Sequence, residues 1–353
     1  MVKAGTGVAR ASRMTSMPAR QEELAAIELS DKLAFLATPG TLDTVVETIE
    51  THLSWVFLTA HRVYKLKKPV SLPLLDHRSL DRRRRSCTKE LELGRRLAPT
   101  VYLGVVPLVA TPRGLAIGDG EGAIVEWLVA MRRLPSTAML PYALGTGAAT
   151  PGDGDALGDV LAGFYRSAAR TAWNAPEYRR RMRALVEMYA GELASYLPRE
   201  RIATIARGLL AQIERCDDAL GQRIAGDRVI DAHGDLRPEH VCLESPPVVI
   251  DPLEFDDDLR TLDAASELAF FTMECERLGA SWFADRVVAR YAQLTGDRAP
   301  PELVAIYRGQ HALARALIAM RRTADSAPPV HARWRRKAEH YLEQARGAAG
   351  SPC

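Results

Sequence analysis

The chain has no run of about 18 apolar residues, the length a helix needs to cross a bilayer. It has no CxxC pair either. The five cysteines, Cys87, Cys216, Cys242, Cys275 and Cys353, are odd in number and scattered. That argues against a disulfide framework and leaves reduced thiols in the cytoplasm as the expected state. A strong charge of either sign is missing too. The net charge is +3, so the total sets up no field for nucleic acid or a membrane surface. Residues 82–85 are four arginines, but they fall on a predicted amphipathic helix without interleaved aromatics and read as a solvated face. Arg333, Arg335 and Arg336 around Trp334 read the same way. No glycine-rich GxGxxG loop precedes the first strands, and no Ser-His-Asp set comes with a nucleophile elbow.

What is present suits an ordinary globular protein. At 353 residues, 47% apolar and 26% charged, the chain can bury substantial cores. Residues 22–36 have amphipathic helix character, with Leu24, Ile27, Leu29 and Leu33 near one side. Pro39-Gly40 stops that helix, and Thr41 can cap a short second one through Thr48. Residues 55–59 and 62–67 read as strands, and 79–97 as a strong helix. Residues 101–109 and 115–128 supply further strands. Glycine, alanine and aspartate dominate 144–158, which predicts a flexible loop or frayed helix start. Residues 159–223 and 262–347 are mostly helical, so strands come first and helices later, an α+β order. The first 22 residues are basic and lack an apolar core, which predicts a disordered tail rather than a secretory signal; Met14 or Met17 could be the true start.

The stretch VIDAHGDLRPEHVCLESPPVVIDPLEFDDDLR, residues 229–260, carries the most chemical information. Two short apolar segments, 228–232 and 248–250, each deliver an aspartate to a polar loop: Asp235 in His-Gly-Asp and Asp251 in Val-Ile-Asp. Residues 241–243 lean apolar, and Pro246-Pro247 confine the break before 248–250 to the connection, as a hairpin-like pair of those two runs requires. One carboxylate can then take a proton from a hydroxyl while the other holds a cation bridging phosphates. Turn aspartates are common, but the combination points to phosphoryl transfer. Glu254, Asp256, Asp257 and Asp258 could recruit a cationic acceptor or form a solvated turn paired with Arg260. Glu267 could face an acceptor pocket.

HGDLRPEH followed by VVIDPLEF resembles the catalytic motif and metal-binding aspartate of the aminoglycoside phosphotransferase and choline kinase group, relatives of protein kinases. Upstream, THLSWVFLTAHRVYKLKKPV, CTKELELGRRLAPTVYLGVVPL and AIVEWLVAMRRLP extend the likeness over roughly residues 28 to 295. The fuller series looks like a bacterial phosphotransferase-domain family, some of whose members are fused to a P-loop kinase domain. The resemblance implies a protein-kinase-like two-lobed fold. It divides the chain into a tail (1–22), a small β-rich nucleotide-binding lobe (23–128), a hinge and flexible connector (129–158) and a helical lobe (159–348).

It also implies ATP with Mg²⁺ as cofactors, Mn²⁺ being the alternative, and a small-molecule hydroxyl as acceptor. Lys65 should face the nucleotide phosphates with Glu90 as its counterion; Lys67 is the runner-up and otherwise a solvated strand residue. Ser54 could donate its hydroxyl or amide to a phosphate, and Glu126 to Leu128 resemble the hinge whose backbone pairs with adenine. Asp235 is the expected base, Arg237 a stabiliser of the transferring phosphate, Asp251 the Mg²⁺ ligand, and His233 a brace of the loop. Asp263 most resembles a structural aspartate that caps Ser266 or braces the catalytic loop. His240 stands where the family has asparagine; it either alters the second metal site towards softer ions or supports the loop. A nucleotide-binding pseudokinase, or nucleotidyl transfer to protein, is the alternative function.

Overall fold

The structure, a computed structural model, describes residues 27–42, 45–72, 75–118, 120–324 and 328–350. The expected tail lies outside them, as do residues 22–26 of the first predicted helix. The chain forms two compact units, residues 1–91 with 100–133, and residues 92–99 with 134–353.

In the first unit, α1 (Leu29–Ala37) is followed by β1 (Val45–Glu50), β2 (Ser54–Thr59), β3 (Arg62–Lys67), the short pair β4 (Ser71–Leu72) and β5 (Leu75–Asp76), and α2 (Leu80–Gly94). Then come β6 (Tyr102–Thr111), β7 (Gly114–Ile117) and β8 (Ala123–Arg132). The six longer strands make one antiparallel sheet in the order β1-β2-β3-β8-β6-β7. Its packed face follows from strand alternation: Phe57, Tyr64, Leu66 and Leu128 stand together against Leu36 of α1. Burying each such side chain stabilises by roughly 1.5–3 kcal/mol.

Two expectations change here. Residues 45–50 are an edge strand rather than a helix reaching Thr48, with Thr48 opposite Phe57 and Glu50 opposite Trp55. The β-branched residues of VVETIE suit a pleated strand, and pairing with β2 outweighs any helical pattern. The last strand also runs on to Arg132, past the expected lobe limit at 128, because Leu128 to Arg132 pair with β3.

The second unit is mainly helical: α3 (Leu140–Thr146), α4 (Pro151–Ser167), α5 (Ala175–Leu193), α6 (Arg199–Arg215) and α7 (Asp217–Ala225) come first. Three strand fragments follow, β9 (Val229–Asp231), β10 (Val241–Cys242) and β11 (Val248–Val249). After α8 (Asp257–Arg260) and β12 (Thr261–Asp263) the chain ends in α9 (Ala264–Arg277), α10 (Ser281–Thr295), α11 (Pro301–Ala324) and α12 (Pro328–Ala349). β10 pairs with β11 as the sequence predicts, and β12 returns to pair with β9.

The expected flexible segment at 144–158 is mostly ordered helix. Thr150 and Asp153 form a reciprocal capping box that starts α4 at Pro151. Its glycines serve close packing: a Cβ on Gly158 would sit 2.7 Å from Cβ of Arg290, and one on Gly154 3.1 Å from Cβ of Arg286, both on α10. Leu157 and Leu161 share a core with Phe283 and Val287. A second core joins Val186, Leu209, Leu313 and Leu342 from α5, α6, α11 and α12. Among the described residues no helix is long and apolar enough to cross a membrane.

Candidate active site

The loops that follow β9 and β11 bring the two predicted aspartates to one imidazole. The turn after β9 depends on Gly234, whose φ is 86° and whose Cβ would lie 2.9 Å from Cβ of Leu253. The amides of His233 and Gly234 donate to the Glu267 carboxylate at 3.0 and 2.6 Å, and the Tyr165 hydroxyl donates to it at 2.8 Å. Burial pushes the Glu267 pKa up, and those hydrogen bonds act against it. Glu267 therefore clamps the loop from α9. It is a positioning residue that short-range patterns could not reveal, since its partners are more than 30 residues away in the chain.

His233 ties the two aspartate arms together, as its expected bracing role requires. Its Nε2 donates to the Ile250 carbonyl at 3.0 Å, and its Nδ1 accepts from the Asp235 amide at 3.3 Å. Burial, with His240 adding, lowers this imidazole to about 3, so it stays neutral. The Leu253 amide donates to the His233 carbonyl at 3.0 Å, and the Ile250 amide to the His240 carbonyl at 2.9 Å.

His240 stands between the carboxylates, its Nδ1 3.7 Å from Oδ2 of Asp235 and its Nε2 3.4 Å from Oδ2 of Asp251. Arg237 Nη2 approaches Nε2 at 2.8 Å; an arginine can only donate, so Nε2 accepts and Nδ1 carries the hydrogen. Nδ1 then donates to the Asp235 carbonyl at 2.9 Å. Burial first, and Arg237 second, hold His240 below its ordinary pKa. Asp251 has φ 62°, a left-handed conformation that costs a non-glycine residue energy and is held here by its surroundings.

Asp235 is gripped by Arg237, Nε to Oδ1 at 2.9 Å and Nη2 to Oδ2 at 3.0 Å. Burial would raise the Asp235 pKa, but Arg237, His240 and Arg315 outweigh it and hold the carboxyl below its usual value. Oδ2 of Asp251 and, with Arg237 moved off it, Nε2 of His240 would make a two-donor set; no group of three His, Cys, Asp or Glu side chains able to hold a metal exists among the described residues. Two donors fit a divalent ion that takes its other ligands from phosphate and water.

The acidic turn makes local contacts. Asp256 accepts from the Leu259 amide at 2.9 Å, Asp257 pairs with Arg260 at 2.7 Å, and Asp258 lies 3.7 Å from Arg181. Asp263 accepts from Ala265 rather than Ser266, and is held by Arg223 and the Tyr307 hydroxyl.

In the first unit Lys65 Nζ lies 2.9 Å from Oε1 of Glu90, and Lys67 Nζ contacts the other oxygen. Lys67, expected in solvent, is 1% exposed, because the face it shares with Lys65 is covered where Glu90 packs. Ser54 is fully buried, and its amide donates to Thr51 Oγ1 at 3.0 Å. That amide is therefore engaged inside its own turn. Glu126 and Leu128 lie within β8 rather than at a hinge. The Glu126 carboxylate receives Nε and Nη2 of Arg83, each at 2.8 Å, and Leu128 sits between Leu66 and Val106. Arg83 is thus a buried ion-pair partner in a run expected to be solvated. The chain leaves the strand only after Arg132.

Residues 54–304 match the model of the phosphotransferase enzyme family. The chain belongs to that family. An uncharacterized protein of Mycobacterium tuberculosis is 30% identical over 305 residues, covering 84% of this chain, and so is one of Mycobacterium bovis. The chain spans 59% of the length of these relatives. Among solved structures, a choline/ethanolamine kinase family protein from Mesorhizobium loti superposes with TM-score 0.50 at 15% identity, covering 95% of each chain. The GDP complex of an aminoglycoside 2'-phosphotransferase-IIIa gives TM-score 0.52 at 16% identity, covering 90% of this chain and 96% of that one. The chain shares their fold, with a strand-rich first part and a helical second part.

Proposed function

We propose that the protein transfers the γ-phosphate of ATP to a hydroxyl of a small molecule. The observation that carries this reading is the pair Asp235 and Asp251 on either side of neutral His240. The acceptor oxygen forms a bond to the γ-phosphorus while the bond from that phosphorus to the ADP oxygen breaks. Asp235 orients the hydroxyl and takes its proton. Arg237, now on Asp235, supplies charge for the phosphoryl oxygens. Lys65, oriented by Glu90, grips the nucleotide phosphates. Asp251 and Nε2 of His240 are the groups that would hold Mg²⁺ or Mn²⁺, which when bound neutralises phosphate charge. A cytoplasmic location and association with a P-loop kinase domain belong to the same proposal; the greater length of the relatives is consistent with a further domain in those proteins.

The test is ADP formation against a metabolite extract, wild type beside Asp235→Asn. The variant is expected to lose about 10²–10⁴-fold in rate while ATP binding persists. Equal rates would refute the role of Asp235. A second reading, a nucleotide-binding regulatory module, is favoured by the closure of both Asp235 oxygens by Arg237. It predicts ATP binding with no ADP formation in any extract.

A further inference from the structure

The charges beside Asp235 continue as a chain into α9, α11 and α12. Arg237 lies 3.8 Å from Glu239, Glu239 accepts from Arg277 at 2.7 Å, and Arg277 donates to Glu274 at 2.8 Å. Glu274 is fully buried and also has Arg315 Nε 3.3 Å away. That Nε makes no hydrogen bond among the described residues, although Arg315 is only 12% exposed. Next to it, Lys337 Nζ lies 5.5 Å from the centre of the Trp334 ring and 5.9 Å from that of Tyr341. Lys337 has no carboxylate within ion-pair distance among the described residues.

Four cations, Arg237, Arg277, Arg315 and Lys337, thus share three carboxylates, Asp235, Glu239 and Glu274. Counted against those three carboxylates one positive charge is left over: Arg277 and Arg315 share Glu274, and Lys337 has no carboxylate partner among the described residues. Arg315 is close enough for its charge to act on Asp235. In the acidic turn Asp256 caps a helix, and Asp257 and Asp258 lie beside Arg260 and Arg181. We propose that Arg315 and Lys337 bind the acceptor through an anionic group, a carboxylate or a phosphate, and so present its hydroxyl to Asp235. This rests on the phosphotransferase reading and gives it a substrate class. An anion there would favour the charged ammonium: burial first, then Arg277 and Arg315, lower Lys337 to about 8 against the opposing pull of Glu274 and Glu239. A guanidinium fixed by Glu274 and an ammonium against two rings form a preorganised receptor for such a group.

The experiment measures binding of four probes with one three-carbon skeleton to the full chain by ligand-observed NMR. They are glycerate, glycerol 3-phosphate, glycerol and 3-amino-1,2-propanediol. At least one anionic probe is expected to bind about 10-fold or more tighter than glycerol. The tighter of the two identifies the preferred group. Lys337→Met is expected to abolish that advantage without changing Tm, because Lys337 carries no hydrogen bond or ion pair among the described residues. Equal or better binding of glycerol or the amine overturns the proposal, as does an anion preference that survives Lys337→Met. Thermal shift with ATP and Mg²⁺ checks the underlying reading separately. Anion preference without nucleotide binding removes the phosphotransferase reading and leaves the anion site. Turnover of the amine in preference to both anions does the reverse.

Discussion

Asp251, in a left-handed backbone, and His240, whose Nε2 lies 3.4 Å from its carboxylate, are the residues through which metal preference would be set. Imidazole nitrogen favours softer divalent ions than an amide oxygen does. Asp251→Ala is therefore expected to abolish metal-dependent ATP binding. His240→Asn should retain ADP formation and shift the Mg²⁺-to-Mn²⁺ activity ratio towards Mg²⁺ by about 10-fold. Titrating both ions against the rate decides this, and loss of all turnover in His240→Asn would count against it. The two aspartates could be picked out because their motif is short and contiguous, whereas Arg237 and the Lys65–Glu90 pair, 25 residues apart, came from the family resemblance. Glu267, Arg83 and Arg315 could not, because their partners lie far along the chain and no local pattern marks them.

At the scale of an element, α4 shows why composition misleads. Its glycines resemble a linker's, yet Gly158 lets the helix approach Arg290 so closely that a Cβ would also lie 3.1 Å from the Val287 carbonyl. Gly163, on the same helix, has nothing within 4 Å of its Cβ position. The two should respond oppositely to alanine. Gly158→Ala is expected to cost about 1–3 kcal/mol through overpacking, and Gly163→Ala to stabilise by about 0.5–1 kcal/mol through helix propensity. Urea denaturation of both variants measures the difference; two stabilising substitutions would refute the packing argument. At β1 the same lesson runs the other way: VVETIE looked able to continue a helix, and the neighbouring strand made it an edge.

Across the whole molecule, buried neutral histidines set the response to acid. Burial lowers His233 to about 3 and His311 to about 4, from an ordinary 6.5. Between those values and 6.5 the unfolded chain binds protons that the folded chain does not. Stability therefore falls as pH drops from about 6.5 towards 4 and is regained on return to neutrality. The urea midpoint should decline over that window, and His311→Phe, which keeps the stack on Phe270, should flatten the decline. An unchanged slope in that variant would remove His311 from the account.

The sequence by itself determined the α+β order of elements and the β10–β11 hairpin, because strand alternation and proline breaks are local properties. Only the tertiary structure decided that Lys67 is buried, that Glu126 is consumed by Arg83, that 151–158 is helix, and that Arg237 grips both oxygens of Asp235. Each of those depends on which side chains meet. Burial and ion pairing are set by contacts through space, and a linear pattern carries no record of them.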